Sequence, residues 1–143
     1  MKKSIIAIIF SVAVIVGLAL LFLESYNPGH EIVNQLYRDD IKAIAMLNSD
    51  NDWGNQQSSL ITESFLINGE KVPKIEIKYD AENPNYSEMS VNLSNAIQEH
   101  LQTYKSNEIA VIVIGLEDKE DLNIAIYGDN LKLSELEWVW IKE

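Results

Sequence analysis

One segment restricts this chain more than any other. In residues 4–23, SIIAIIFSVAVIVGLALLFL, every position except Ser4, Ser11 and Gly17 is Ala, Val, Ile, Leu or Phe, and none is charged. As a helix rising ~1.5 Å per residue, such a run is roughly 30 Å long, the thickness of a bilayer's hydrocarbon core. The run therefore reads as a single transmembrane signal anchor, and the rest of the chain must fold outside the lipid. Lys2 and Lys3 precede it, whereas no Lys or Arg follows until Arg38. This asymmetry places residues 1–3 in the cytoplasm as a short tail and the C-terminal part on the extracytoplasmic side.

A cleavable signal peptide is the competing reading, since Gly17 and Ala19 supply small side chains at the right spacing for a peptidase. Cutting after Ala19 would leave Leu20, Leu21, Phe22 and Leu23 at the new terminus, still apolar, so an uncleaved anchor is the expectation and secretion the alternative. Residues 24–29 form the membrane exit, with Pro28-Gly29 as a breaker. Residues 30–143 remain for one domain of ordinary size.

The charge is one-sided. Eleven basic residues face 22 acidic ones, for a formal net charge of −11, and every acid lies after the apolar run. An acidic surface repels phosphate backbones, which argues against nucleic-acid binding. The chain has no cysteine, so disulfides, thiol catalysis and zinc–thiolate sites are excluded.

Periodicity outlines the outer domain. Ile32, Val33, Leu36 and Tyr37 fall on one face of a helix. IKAIAML (41–47) fits either helix or strand, and NSDNDWGNQQSS (48–59) reads as a loop. LITESFLI (60–67) and VPKIEIKY (72–79) flank Asn68-Gly69, a pair suited to a tight hairpin. A two-residue loop places Phe65 opposite Val72 and Glu63 opposite Lys74; a three-residue loop pairs Ile61 with Ile77.

A second helix follows, with Ser87 as a candidate cap and Met89, Leu93, Ala96, Ile97, Leu101 and Tyr104 as its apolar stripe. IAVIVIGL (109–116) has the composition of a strand buried on both faces. LNIAIY (122–127) and LEWVWIK near the end read as further strands, with Ser134 able to cap a short turn. The expected fold is α+β: a small mixed or antiparallel sheet packed with two helices after the transmembrane segment.

No catalytic or metal constellation is singled out, and no cofactor is implied. Asp50 and Asp52 suggest a calcium loop, but Asn55 and Ile61 stand where that loop needs glycine and a bidentate glutamate. His30 and His100 are the two histidines and have no evident metal-binding partners. Neither a serine between glycines nor a glycine-rich phosphate loop is present. Glu117, Asp118, Glu120 and Asp121 are the candidate cation contact, although such a run also suits a charged turn. Trp138 and Trp140, on one face of the last strand, and Trp53 are the candidate partner contacts, offering large area at small entropy cost. The functional expectation is a single-pass protein that touches another membrane or envelope protein without catalysis. An acid-based envelope enzyme and an extracytoplasmic ligand- or cation-binding module are the alternatives.

Overall fold

The computed structural model describes residues 14–16, 28–116, 122–124 and 133–143. Residues 14–16 are helical, while the remainder of the apolar run 4–23 lies outside the described residues. Among the described residues no helix is long and apolar enough to cross a membrane.

Helix α1 (Pro28–Arg38) buries Ile32, Val33 and Leu36 of the expected stripe, while Tyr37 stays exposed, its ring edge-on to Phe65 and its hydroxyl donating to Leu66 C=O. Asp40 then takes a positive φ of 55°, and Ile41 N–H donates to Leu36 C=O, which closes the helix end and turns the chain. Strand β1 (Ala43–Ser49) starts immediately, and all seven of its residues are buried. The ambiguous IKAIAML segment is thus a central strand: a helix would turn one face to water, whereas a strand between two neighbours hides both.

Helix α2 (Asp52–Ser64) corrects the loop-and-strand reading of residues 48–67. Asn51 caps it, its side chain accepting from Gly54 N–H. The expected hairpin survives only as β2 (Leu66–Ile67) and β3 (Glu70–Lys71). Asn68 and Gly69, with φ of 54° and 80°, make its two-residue turn. Leu66 pairs with Lys71 and Ile67 with Glu70, the register of the two-residue alternative, but the ladder stops there because Glu63 belongs to α2.

Strand β4 (Lys74–Tyr79) therefore leaves the hairpin and joins the main sheet. Helix α3 (Tyr86–His100) follows, capped by Asn85 rather than Ser87. A 3₁₀ turn (Ser106–Glu108) leads to β5 (Ile109–Ile114), buried throughout, and a second one (Leu133–Glu135) precedes β6 (Glu137–Ile141). Residues 122–124 have no regular structure, and the rest of the expected strand 122–127 lies outside the described residues.

The four long strands lie in the order β4-β1-β5-β6. Every pairing is parallel: β1 with β4 from Ile44↔Lys74 to Ser49↔Tyr79, β1 with β5 from Ala43↔Ile109, and β5 with β6 from Ala110↔Glu137. This corrects the mixed or antiparallel expectation. The cause is α2, since a helix between β1 and β4 returns the chain to the starting end of the sheet. Three helices, not two, cover the described sheet. Ile44, Met46, Ile112 and Ile114 meet α1 and α2 on one face, together with Phe65. Ala43, Ala45, Leu47, Val111 and Val113 meet Met89, Leu93 and Ile97 of α3 on the other.

Candidate binding cleft

In this strand order the chain crosses from β1 to β4 on one side and then from β4 to β5 on the other. The reversal lies between β1 and β5, and in open parallel sheets ligands bind beyond the carboxyl ends at such a point. Here the base of that crevice is filled. Ser49 ends β1 fully buried, and Gly54 of α2 packs so closely on it that a Cβ there would collide with its hydroxyl and carbonyl oxygens. Gly115, just past β5 with a φ of +88°, is held as tightly: an added Cβ would lie 2.7 Å from Ser49 Oγ and 2.9 Å from Tyr79 Oη. Tyr79 Oη donates to Ile114 C=O at 2.9 Å. Burial, reinforced by Tyr86, pushes the Tyr79 phenol up to about 12 despite the opposing hydrogen bond with Ser49.

Open space begins beside this plug. A cleft of about 270 Å³ lies between the end of β4, the following turn and the start of α3. Ile77 and the buried Met89 supply its apolar part. Its polar lining includes Asp80, Asn83, Asn85, Glu88 and Asn92. Several of these groups are held in place by the backbone. Asp80 Oδ1 accepts from Glu82 N–H at 2.9 Å and Asn83 N–H at 3.3 Å. Asn85 Oδ1 accepts from Glu88 N–H at 3.2 Å, and its amide donates to Glu88 Oε2 at 3.3 Å. Carboxylates and amides fixed in this way can bind hydroxyl or amino groups with little ordering cost.

A second polar assembly lies on the α2 face of β4. The Glu76 carboxylate accepts from the Ser58 hydroxyl, from Asn48 Nδ2 at 3.1 Å and from Lys74 Nζ at 3.3 Å. Burial pushes its pKa up, but the donors Ser58, Lys74 and Asn48 together outweigh burial and hold it below the usual carboxylate value. Asn48 is fully buried and also donates to Asn55 Oδ1 at 3.2 Å.

Of the residues singled out in the sequence, Trp138 and Trp140 do come together. Their rings stack at 6.2 Å and 12° on β6, half-buried on the α3 face. Trp53 sits in the first turn of α2 against the opposite core layer, so the three tryptophans do not form one surface. Glu117, Asp118, Glu120 and Asp121 lie outside the described residues. Among the described residues no group of three or more His, Cys, Asp or Glu is placed to hold a metal. Asp50 and Asp52 serve the entry to α2, where Asp50 pairs with Lys78 at 3.6 Å. His100 is a core residue, its Nε2 2.8 Å from Ile44 C=O and its ring edge-on to Tyr104. His30 is exposed on α1.

The cleft residues went unnoticed in the sequence. Their signal was the density of Asp, Asn and Glu in DAENPNYSEMSVN, which also describes an ordinary turn; only the parallel sheet places that turn at a carboxyl end.

No protein family and no curated protein matches the chain. A solved structure of an extracellular ligand-binding receptor from Verminephrobacter eiseniae aligns with 61% of this chain at 19% identity and a TM-score of 0.40. The chain spans 22% of that structure's length. A resemblance of that size decides nothing about this chain.

Proposed function

We propose that this is a membrane-anchored extracytoplasmic domain that works by non-catalytic recognition, and that the cleft beside β4 takes a small polar ligand bearing hydroxyl or amino groups. The observation that carries this reading is a carboxyl-end cleft in which Asp80, Asn85 and Glu88 are held by hydrogen bonds, with Asn83 and Asn92 lining it beside them. Asp80 and Glu88 accept hydrogen bonds, Asn83 and Asn92 can both donate and accept, and the apolar wall of Ile77 and Met89 suits the carbon skeleton of a sugar or amine. The two carboxylates outnumber the one lysine of the lining, Lys78, and so disfavour anions. The apolar run 4–23 supports the anchor, and a tether keeps the domain concentrated near other envelope components.

The test uses the full chain in lipid nanodiscs against a panel of neutral monosaccharides, amino acids and polyamines, read by thermal shift and calorimetry. A compound that raises the melting temperature, and loses its effect in Asn83→Ala and Asn92→Ala, supports the cleft. Binding unchanged in both variants, or no binding across the panel, overturns it. For the anchor, cell fractionation with external protease should leave a membrane-bound fragment; recovery of the protein from the medium starting at Leu20 contradicts it.

A second reading is favoured by the stacked, half-buried Trp138–Trp140 pair on the strand that ends the sheet among the described residues, which offers an aromatic surface to another envelope protein. Photo-crosslinking from position 138 in cells checks it, with capture of a defined partner as the expected result and bulk capture alone as the contrary one.

A further inference from the structure

Helix α1 has a fixed direction relative to the sheet. Its last turn is held at the amino ends of the strands, where Gln35 Nε2 donates to Glu137 Oε1 at 2.8 Å, at the start of β6. Tyr37 Oη donates to Leu66 C=O at 2.8 Å, just past the point where α2 has returned to that same end. Residues 39–42 then lead into β1. A helix joined to a strand by so short a turn, and packed on the sheet, doubles back along it. Helix α1 does so beside α2, with Ile32, Val33 and Leu36 in the core layer that holds Ile114 and Ile141 at the carboxyl ends. Its 11 residues cover about 16 Å. The first turn, with Gly29 buried, therefore lies toward the carboxyl ends of the strands, the end at which the cleft opens.

The sequence keeps that turn close to the apolar run. From Leu23 to Pro28 are five residue steps, which reach at most about 18 Å when fully extended. The headgroup layer takes up about 6 Å of this distance. With residues 4–23 spanning a bilayer, the reading on which this inference rests, α1 starts within about 12 Å of the lipid surface.

We infer that the carboxyl end of the sheet is the surface of this domain that faces the membrane, so that the cleft beside β4 opens toward the headgroup layer. The amino-end turns, including the 3₁₀ turn Ser106–Glu108, face away from it. The lipid surface that fits this end is zwitterionic. Asp50, Asp80, Glu82 and Glu88 are all exposed there and outnumber Lys78, so anionic lipid repels it. Proximity comes from the short tether and not from charge, which confines the cleft near the bilayer without sealing it against the bilayer.

The experiment measures the distance of the two ends from the lipid. The chain has no cysteine, so a single label can be placed at a chosen position. Glu82→Cys marks the turn after β4 at the carboxyl end, and Asn107→Cys marks the amino end; both positions are exposed. Each variant of the full chain, labelled with a small fluorophore, is reconstituted in phosphatidylcholine vesicles with a nitroxide on a fraction of the headgroups. Several-fold stronger quenching at position 82 than at position 107 is the expected result. Twelve Gly and Ser residues inserted after Asn27 lengthen the reach by up to about 40 Å and should abolish the difference. Equal quenching at the two positions, stronger quenching at 107, or a difference that survives the insertion overturns the inference. Flotation separates this outcome from the fate of the anchor: a chain that does not float with the vesicles removes the anchor and this inference with it, whereas one that floats with both labels quenched alike removes the orientation alone.

Discussion

Among the described residues strands β4 and β6 both end the sheet, yet β4 carries the charged residues Lys74, Glu76 and Lys78, while β6 lays the Trp138–Trp140 stack over the α3 face. Each is a way to manage an edge. Charge keeps β4 from pairing with its own kind. On β6 the stacked indoles cover apolar surface that no further strand among the described residues protects. The comparison separates two sources of stability: β6 depends on area removed from water, and β4 on whether one carboxylate keeps its donors.

The largest effect should come from β6. Trp140→Ala removes a half-buried ring and its stacking partner's contact, and should cost about 3 kcal/mol in chemical denaturation. A loss below about 1 kcal/mol would mean that the indoles are held for contact and not for the core. Next comes Glu76→Ala on β4, which leaves Asn48 Nδ2, Ser58 Oγ and Lys74 Nζ without their shared acceptor and should cost about 2 kcal/mol.

Glu76 also gives the β4 edge a pH dependence. Its folded pKa is depressed below the ordinary 4.5, so its contribution is complete above that value and is lost as pH falls through the lowered one. Melting temperatures of wild type and Glu76→Gln should therefore converge on acidification. Tyr79 behaves in the opposite sense: with its folded pKa raised from 10.0 to about 12, its share of stability is present below pH 10 and is lost as pH rises toward 12. An ultraviolet titration should show one tyrosine ionising near 12 that is missing in Tyr79→Phe. The smallest effect belongs to Lys78→Ala, whose exposed pair with Asp50 should matter by less than about 0.5 kcal/mol in thermal melts.

How far the sequence reveals this arrangement depends on where the apolar pattern is decisive. IAVIVI could only be a strand hidden on both faces, and Met89, Leu93, Ala96 and Ile97 could only be one side of a helix; both are so in the structure. Residues 52–64 are the instructive miss. DWGNQQSSLITES carries few apolar residues and many that favour turns, so local preference points away from a helix; an Asn51 cap and the burial of Ile61 decide otherwise. That one segment controls topology. Without α2, β1 and β4 have no crossover, β4 remains in a hairpin, and the turn after it has no reason to be a binding cleft. The tryptophans were legible as a pair on β6 but not in their depth, because half-burial depends on a core layer assembled from residues far from them in sequence.

Strand β1 has a cost that the finished fold conceals. All seven of its residues are buried, but its two neighbours arrive late: Ile44 must wait for Lys74, and Ala43 for Ile109. A chain made from its N-terminus therefore carries an apolar strand with no partner until β4 is complete at Tyr79, and with one side still open until β5 follows. No hairpin can shelter it, since both of its ladders span a helix or more, and folding dominated by such distant pairings is slow. IAVIVI, once made, is itself a six-residue segment of the kind that self-associates if left exposed. The molecule thus depends on its surroundings to keep these two strands apart from other copies until they meet each other, and crowding of nascent chains is the condition under which it should fail first.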